Sequence, residues 1–471
     1  MAAGIRSSLA QAVVTMLAIL ATIAVCLLIA PEPGPAVLGA MLCLTLSRSQ
    51  LERDWRGRLE AGIALPFIGV LSAGVGHLLL DLPIVGAIVY VVGMFLSILL
   101  RRFGPVPRRI GALLAIPFIA LLVAPNPVPS TVRGGLAVLV PALVAVVSFA
   151  FVTLFQVAAI GIRMLPRPVP AEPESARPDA ARPDAARPDT STTPKPGVIL
   201  DATTKLALQM ALSLAAAFAI GFVFFPTRWA WIVLTVVVVA VGNAGRADVL
   251  YKGIQRVLGA AVGTVVALLG LTLPTLGGPN LPTVIVLLAI VFVAVLLRPF
   301  AYLWWALFFT LALTLLQSFG APSASSLGPL LGERLEEILL GTALALLVAW
   351  FVAPVRSENT VRRRIGLVLA ALQTRLAEQT PETARALAGA EKDLAKVAAP
   401  YDAWRRFFRR STHPRAALWI ATTRESVALG RDGGSVAARS ALGEARKALR
   451  DPDRLQAELA RVRAALAGEV E

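Results

Sequence analysis

The sequence predicts an all-α, polytopic membrane protein: two six-helix transmembrane halves in parallel orientation plus a C-terminal cytoplasmic helical domain. Three observations lead there. Hydrophobic residues make up 57% of the chain and charged residues 16%, more apolar surface than one soluble core could hide. The apolar residues fall into twelve runs, most long enough to cross a bilayer and separated by short basic loops. From Val355 the composition changes to that of a soluble helical domain rich in alanine, arginine, leucine and glutamate.

The first half takes residues 1–165, with spans at about Ser8 to Ala30, Ala36 to Leu46, Leu59 to Leu80, Pro83 to Leu100, Ile110 to Ala124 and Gly135 to Leu165. The run after Arg6 is too long for the core of a secretory signal, so it reads as a first transmembrane helix. The fifth run is short and reads as tilted or partly inserted. Residues 166–199 break the pattern: RPD recurs at Arg177, Arg182 and Arg187, and no apolar face exists to bury. Such a segment predicts an extended cytoplasmic linker. The second half, residues 200–354, has spans at about Thr204 to Phe225, Trp229 to Val241, Val257 to Leu273, Leu281 to Leu297, Ala301 to Phe319 and Leu335 to Ala353.

Residues 355–471 carry 22 Lys plus Arg against 14 Asp plus Glu. Helices are predicted there at about Thr360 to Glu378, Pro381 to Val397, Tyr401 to Arg410, Ala416 to Leu429, Ser435 to Leu449 and Pro452 to Leu466, the last two as an antiparallel pair. Tyr401, Trp404 and Phe408 share a face ringed by Arg405, Arg406, Arg409 and Arg410. That pattern suits a helix on an anionic membrane surface, or a bundle helix with a solvated basic face.

Basic residues set the orientation. Loops assigned to the cytoplasm contain twelve: Arg48, Arg53, Arg56, Arg58, Arg101, Arg102, Arg108, Arg109, Arg246, Lys252, Arg256 and Arg298. Those assigned outside contain three, Arg133, Arg228 and Arg334. The bias places both termini inside. It also accounts for the net charge of +16 without nucleic acid as a partner. Each half has a short second span, a basic loop, and a third span opening on arginine and small residues: Arg58, Ala61 and Gly62, against Arg256, Gly259 and Gly263. Tandem repeats of like orientation place a transport pathway where they meet.

Phosphate-loop, HExxH, CxxC and GxSxG motifs are lacking, so the chain reads as no enzyme, without cofactor or metal. Cys26 and Cys43 lie within apolar runs and define no disulfide framework. Arg256, Gly259 and Gly263 share a helical face by their i, i+3, i+7 spacing. Small residues let a neighbouring helix approach, and the arginine reads as an anion partner at an inner mouth or as a headgroup anchor. Trp231, Thr235, Gln209 and Gln317 complete the candidate substrate pathway. The span cores otherwise read as free of Asp, Glu, Lys and Arg. Glu337, Arg334, Glu60 and His77 stand at span margins as candidates for ion coupling, with Arg334 and Glu337 spaced to pair along one helix. His77 reads equally as an interfacial histidine. Tyr302, Trp305 and Phe309 share a face that could stack on an aromatic substrate or form an interfacial belt.

Two stretches carry a resemblance. Trp231-Ile-Val-Leu-Thr235, a basic loop, and Gln255-Arg256-Val-Leu-Gly259-Ala-Ala-Val-Gly263 resemble the signature of the fusaric acid resistance and aromatic acid exporter family. Arg334-Leu-Glu-Glu337-Ile-Leu-Leu-Gly341 resembles a second pattern of that family. The likeness covers roughly Lys205 to Ala353. It implies a bacterial inner-membrane protein that exports aromatic or related organic acids, with proton entry as the driving force. It implies motif roles for Arg256, Gly259, Gly263, Arg334, Glu337 and Gly341. Glutamate at 337, where aspartate is common, and a bare linker between the halves depart from the family pattern.

The expected function is a secondary, proton-coupled exporter of small organic anions. Its expected partners are that substrate, the lipid bilayer, further copies of the chain and an envelope protein. The alternative is a non-transporting membrane scaffold whose cytoplasmic domain docks partners.

Overall fold

The computed structural model describes residues 2–29, 32–51, 55–123, 139–165, 201–243, 245–273, 276, 280–317, 327–352, 354–355, 357–407, 414–430 and 436–468. The linker expected at 166–199 lies outside them. The described residues hold helices and no strand. Chain contacts separate two compact units. One is the membrane unit; the other comprises Asn243–Tyr251 and Pro354–Glu471 among its residues.

The membrane unit contains α1 (Ala2–Ile29), α2 (Pro33–Leu51), α3 (Trp55–Asp81), α4 (Pro83–Leu99), α5 (Pro105–Val123) and α6 (Val140–Gly161). It continues with α7 (Ala202–Phe224), α8 (Trp229–Ala240), α9 (Arg246–Leu271) from Lys252 on, α10 (Leu281–Leu297), α11 (Tyr302–Gln317) and α12 (Leu327–Phe351). Seven of the described helices are long and apolar enough to cross a membrane, and α8, α10 and α11 are shorter apolar helices. Among the seven is α5, so the fifth run has the length to cross. The protein is a polytopic, all-α membrane protein.

Packing repeats from one half to the other. In the first half α1 lies on α2 and α6, and α4 on α5; in the second α7 lies on α8 and α12, and α10 on α11. Across the halves α4 meets α7, and in the corresponding manner α10 meets α1. Arg102, just past α4, donates to Thr204 Oγ1 in the first turn of α7 at 3.1 Å, so these two helix ends lie together. An aromatic cluster cements the α4–α7 contact. Tyr90 packs on Phe118 and Phe218, and Phe218 continues through Phe222 to Trp229. The Tyr90 hydroxyl donates to the Phe118 carbonyl at 3.0 Å, which satisfies its polar end inside the bundle.

Several helices begin earlier than hydropathy suggests, among them three that carry buried charge. Hydropathy starts these at Leu59, Val257 and Leu335; α3, α9 and α12 begin at Trp55, Arg246 and Leu327. A helix carries its own backbone hydrogen bonds through polar residues, so the apolar stretch marks only part of it. Arg58, Arg256, Arg334 and Glu337 therefore lie inside the helices and are buried.

The second unit is a helical bundle of α13 (Ser357–Ala377), α14 (Pro381–Phe407), α15 (Arg415–Leu429), α16 (Val436–Lys447) and α17 (Pro452–Ala467). Leu369 and Leu372, Leu394 and Tyr401, Trp419, Leu442 and Leu459 meet in one core. Helices α16 and α17 pack together. Asp451 caps α17 by accepting from Asp453 N–H at 3.0 Å, and Gly468 closes it at φ 75°. The two helices expected at 381–397 and 401–410 are one, running through Pro400. Its inward face, Leu394, Val397, Ala398 and Tyr401, continues across the proline, so burial outweighs one lost hydrogen bond. Tyr401 thus belongs to the core, while Trp404 is exposed; the side chains of Arg405, Arg406, Phe408, Arg409 and Arg410 lie outside the described residues.

Candidate functional site

Four helices of the second half, α8, α9, α11 and α12, bring charged and aromatic side chains together. Arg256 stands eleven residues into α9, about 15 Å along the helix at 1.5 Å per residue. It is 3% exposed. Its guanidinium carbon lies 6.0 Å from the centre of the Phe309 ring on α11.

The glycine face of α9 is filled by that same helix. A Cβ on Gly259 would stand 2.7 Å from Ala306 Cβ and 2.8 Å from the Leu303 carbonyl oxygen, and one on Gly263 would stand 2.7 Å from the Leu307 carbonyl oxygen. Gly259 and Gly263 are therefore covered by α11. They let α9 and α11 touch backbone to backbone, which holds Arg256 against the aromatic side of α11. Gly341 does the same for α12 and α8: its Cβ would meet the Ile232 carbonyl oxygen and Thr235 Cβ at 2.8 Å.

Arg334 comes from α12 to complete the cluster. Its guanidinium carbon lies 3.8 Å from the Trp231 ring centre, and its Nη1 donates to Gln317 Oε1 at 2.7 Å. Glu337, one turn on, is 1% exposed and stands 3.5 Å from Arg228, which precedes α8. Arg228 also pairs with Glu333. The expected pairing of Arg334 with Glu337 along α12 thus gives way to pairing across helices. Arg334 remains within electrostatic reach of both Arg256 and Glu337.

Several polar atoms of this cluster are buried without a hydrogen-bond partner: Arg256 Nε, Arg334 Nη2, Glu337 Oε1, and the hydroxyls of Tyr302, Thr235 and Thr310. A buried donor left unmade costs about 1–3 kcal/mol, and more when charged. Two guanidinium groups with spare N–H donors, next to aromatic faces, suit one kind of ligand. They would take a carboxylate carried on a flat apolar body.

The remaining candidates lie elsewhere. Gln209 Nε2 donates to the Val352 carbonyl at 2.8 Å and ties α7 to α12. Glu60 forms an ion pair with Arg109 at 3.0 Å, joining α3 to α5. His77 is half-buried on α3, a helix that packs on α4, α5 and α6. A small cavity between Leu38, Leu42, Ser72, Pro117 and Pro141 is lined by no charged group.

Sequence reasoning missed Arg228 as the partner of Glu337 and missed Glu333 altogether. The signal was present. Arg228 precedes Trp231 by three residues, and Glu333 precedes Glu337 by four, a spacing that puts both carboxylates on one face.

Residues 213–348 match the fusaric acid resistance protein-like family. Trp231, Thr235, Arg256, Gly259, Gly263, Gln317, Arg334, Glu337 and Gly341 all fall inside the matched stretch; Gln209, Glu60 and His77 fall outside it. The apolar helices give a multi-pass membrane protein. No curated protein matches the chain.

Proposed function

We propose that this protein is a secondary exporter of small organic anions, with aromatic acids as the preferred class and protons as the coupling ion, in a bacterial inner membrane with both termini in the cytoplasm. One observation carries the reading: the buried guanidinium groups of Arg256 and Arg334 keep unpaired donors beside the rings of Phe309 and Trp231. Three cations, Arg228, Arg256 and Arg334, face two carboxylates, Glu333 and Glu337. A carboxylate would lie between Arg256 and Arg334, with its ring against the aromatic faces. Movement of the halves, which meet at α4–α7 and α1–α10, would then expose the anion to one side or the other.

The test is anion flux into proteoliposomes holding the full-length protein. Arg256→Ala should abolish benzoate flux while the protein keeps its wild-type fold and amount. Flux at the wild-type rate in that variant removes Arg256 from the role, and absence of flux in the wild type removes benzoate as a substrate.

A further inference from the structure

Trp305 and Phe309, one turn apart on α11, stack with ring centres 5.4 Å apart and planes at 20°. An arginine stands at each end of the pair. Arg298, the residue that closes α10, lies 4.4 Å from the Trp305 ring centre, and Arg256 lies 6.0 Å from Phe309. The series cation, ring, ring, cation runs from half-buried Arg298, Trp305 and Phe309 to buried Arg256. Trp305 also packs on the core of the first half, together with Leu288, Val291 and Val295 of α10. Its outer arginine therefore lies where the halves meet. Arg48, exposed in the last turn of α2, is within electrostatic reach of Arg298. Two like charges held near one another attract an anion more strongly than either alone.

We propose that Arg298 and Trp305, with Arg48 opposite, form a second and shallower anion site that receives an aromatic carboxylate before it reaches Arg256. The Trp305–Phe309 stack joins the two sites. A flat ring that displaces the guanidinium from the Trp305 face keeps a stacking surface while its carboxylate pairs with that guanidinium. The proposal rests on the transport reading above. A saturated acid of equal charge would find the cations but no stacking surface, so the outer site selects for aromaticity.

Arg298 also places a positive charge at the C-terminal end of α10, where the helix dipole favours one. Arg298→Lys keeps that charge and loses the planar stack, which separates the two roles. In phosphatidylcholine vesicles, the full-length Arg298→Lys and Trp305→Leu variants should raise KM for benzoate about tenfold with little change in kcat, as loss of one cation–π contact implies. KM for cyclohexanecarboxylate should stay near its wild-type value. An unchanged benzoate KM, or an equal rise for both acids, overturns the outer site. So does a KM effect seen only when phosphatidylglycerol is present, because the anion at Arg298 is then a lipid headgroup.

Binding provides a readout independent of flux. Benzoate should quench the Trp305 fluorescence, taken as wild type minus Trp305→Phe, at one concentration range in the wild type and in Arg256→Ala, and at about tenfold higher concentration in Arg298→Lys. If the wild type carries no benzoate flux, benzoate fails as a transported substrate, and the outer site is untouched by that result. The quench then decides the site by itself, and a signal absent from the wild type, or unaltered in Arg298→Lys, overturns it.

Discussion

The guanidinium carbon of Arg334 lies 3.8 Å from the centre of the Trp231 ring and thereby fastens α12 to α8 inside the membrane unit. The same side chain reaches Gln317 at the end of α11. Lysine carries the charge but has neither the planar face for Trp231 nor the fork that bonds Gln317 while leaving Nη2 for a ligand. Arg334→Lys should lower initial anion flux about tenfold or more, on the scale of a desolvated cation–π contact. Trp231→Phe, which keeps a ring, should lose far less. Initial rates at matched protein amounts test both, and equal rates for Arg334→Lys and the wild type would remove the geometric argument.

Glycine positions give a second expectation, on stability. Gly259→Ala and Gly341→Ala each drive a methyl group to within 2.8 Å of a neighbouring helix's backbone oxygen. Each should destabilise by about 1–3 kcal/mol, the cost of forcing apart a packed interface. Gly332, within α12, has nothing within 4 Å of its added Cβ. Gly332→Ala should be neutral or stabilising by about 0.5–1 kcal/mol, because alanine loses less backbone entropy in a helix. Thermal unfolding in detergent would show the contrast, and a similar loss at all three positions would contradict it.

How far the sequence could be read follows from which forces leave a mark on it. The apolar run of α10 predicts its observed bounds, Leu281–Leu297, because lipid demands an unbroken apolar surface. The starts of α9 and α12 escaped that criterion. Arg246–Gln255 and Leu327–Arg334 are helical through polar residues that hydropathy assigns to loops. Arg256, Arg334 and Glu337 were legible as residues but not as a buried cluster. Their company depends on which helix faces which, and that is set by Gly259, Gly263 and Gly341 touching particular partners. Spacing along one chain announces a small-residue face without saying what covers it.

The second unit has its own titration. Burial, helped by the nearby charges of Glu358 and Asp248, pushes the Tyr401 phenol from its ordinary 10.0 up to about 12, against a lowering hydrogen bond with Ser357. A raised phenol pKa means the folded state holds its proton where the unfolded chain has lost it. Stability from this group is intact below pH 10 and falls away as pH rises through 12. The loss should be about 2–3 kcal/mol. Tyr401→Phe should remove this part of the alkaline dependence, measured as the difference between variant and wild type in urea unfolding of the second unit. Parallel curves for the two proteins would refute it.

Glu337 offers the sharpest test of coupling. It is the carboxylate buried within the cluster, 3.5 Å from Arg228, while Glu333, the other partner of Arg228, is partly exposed. A transporter that exchanges an anion for a proton needs a group whose charge changes as the cycle turns, and that group must feel the substrate. Arg334, within electrostatic reach of Glu337 and of Arg256, is placed to relay the charge of an anion at Arg256 to Glu337. Glu337→Gln keeps the shape and removes the charge change. The variant should still carry benzoate down its own gradient, but an imposed pH gradient should no longer accelerate it. Glu333→Gln should leave acceleration intact, because a partly exposed ion pair contributes about 1 kcal/mol or less. Flux with and without the pH gradient separates the cases. If Glu337→Gln still responds to the gradient as the wild type does, the proton travels by another group.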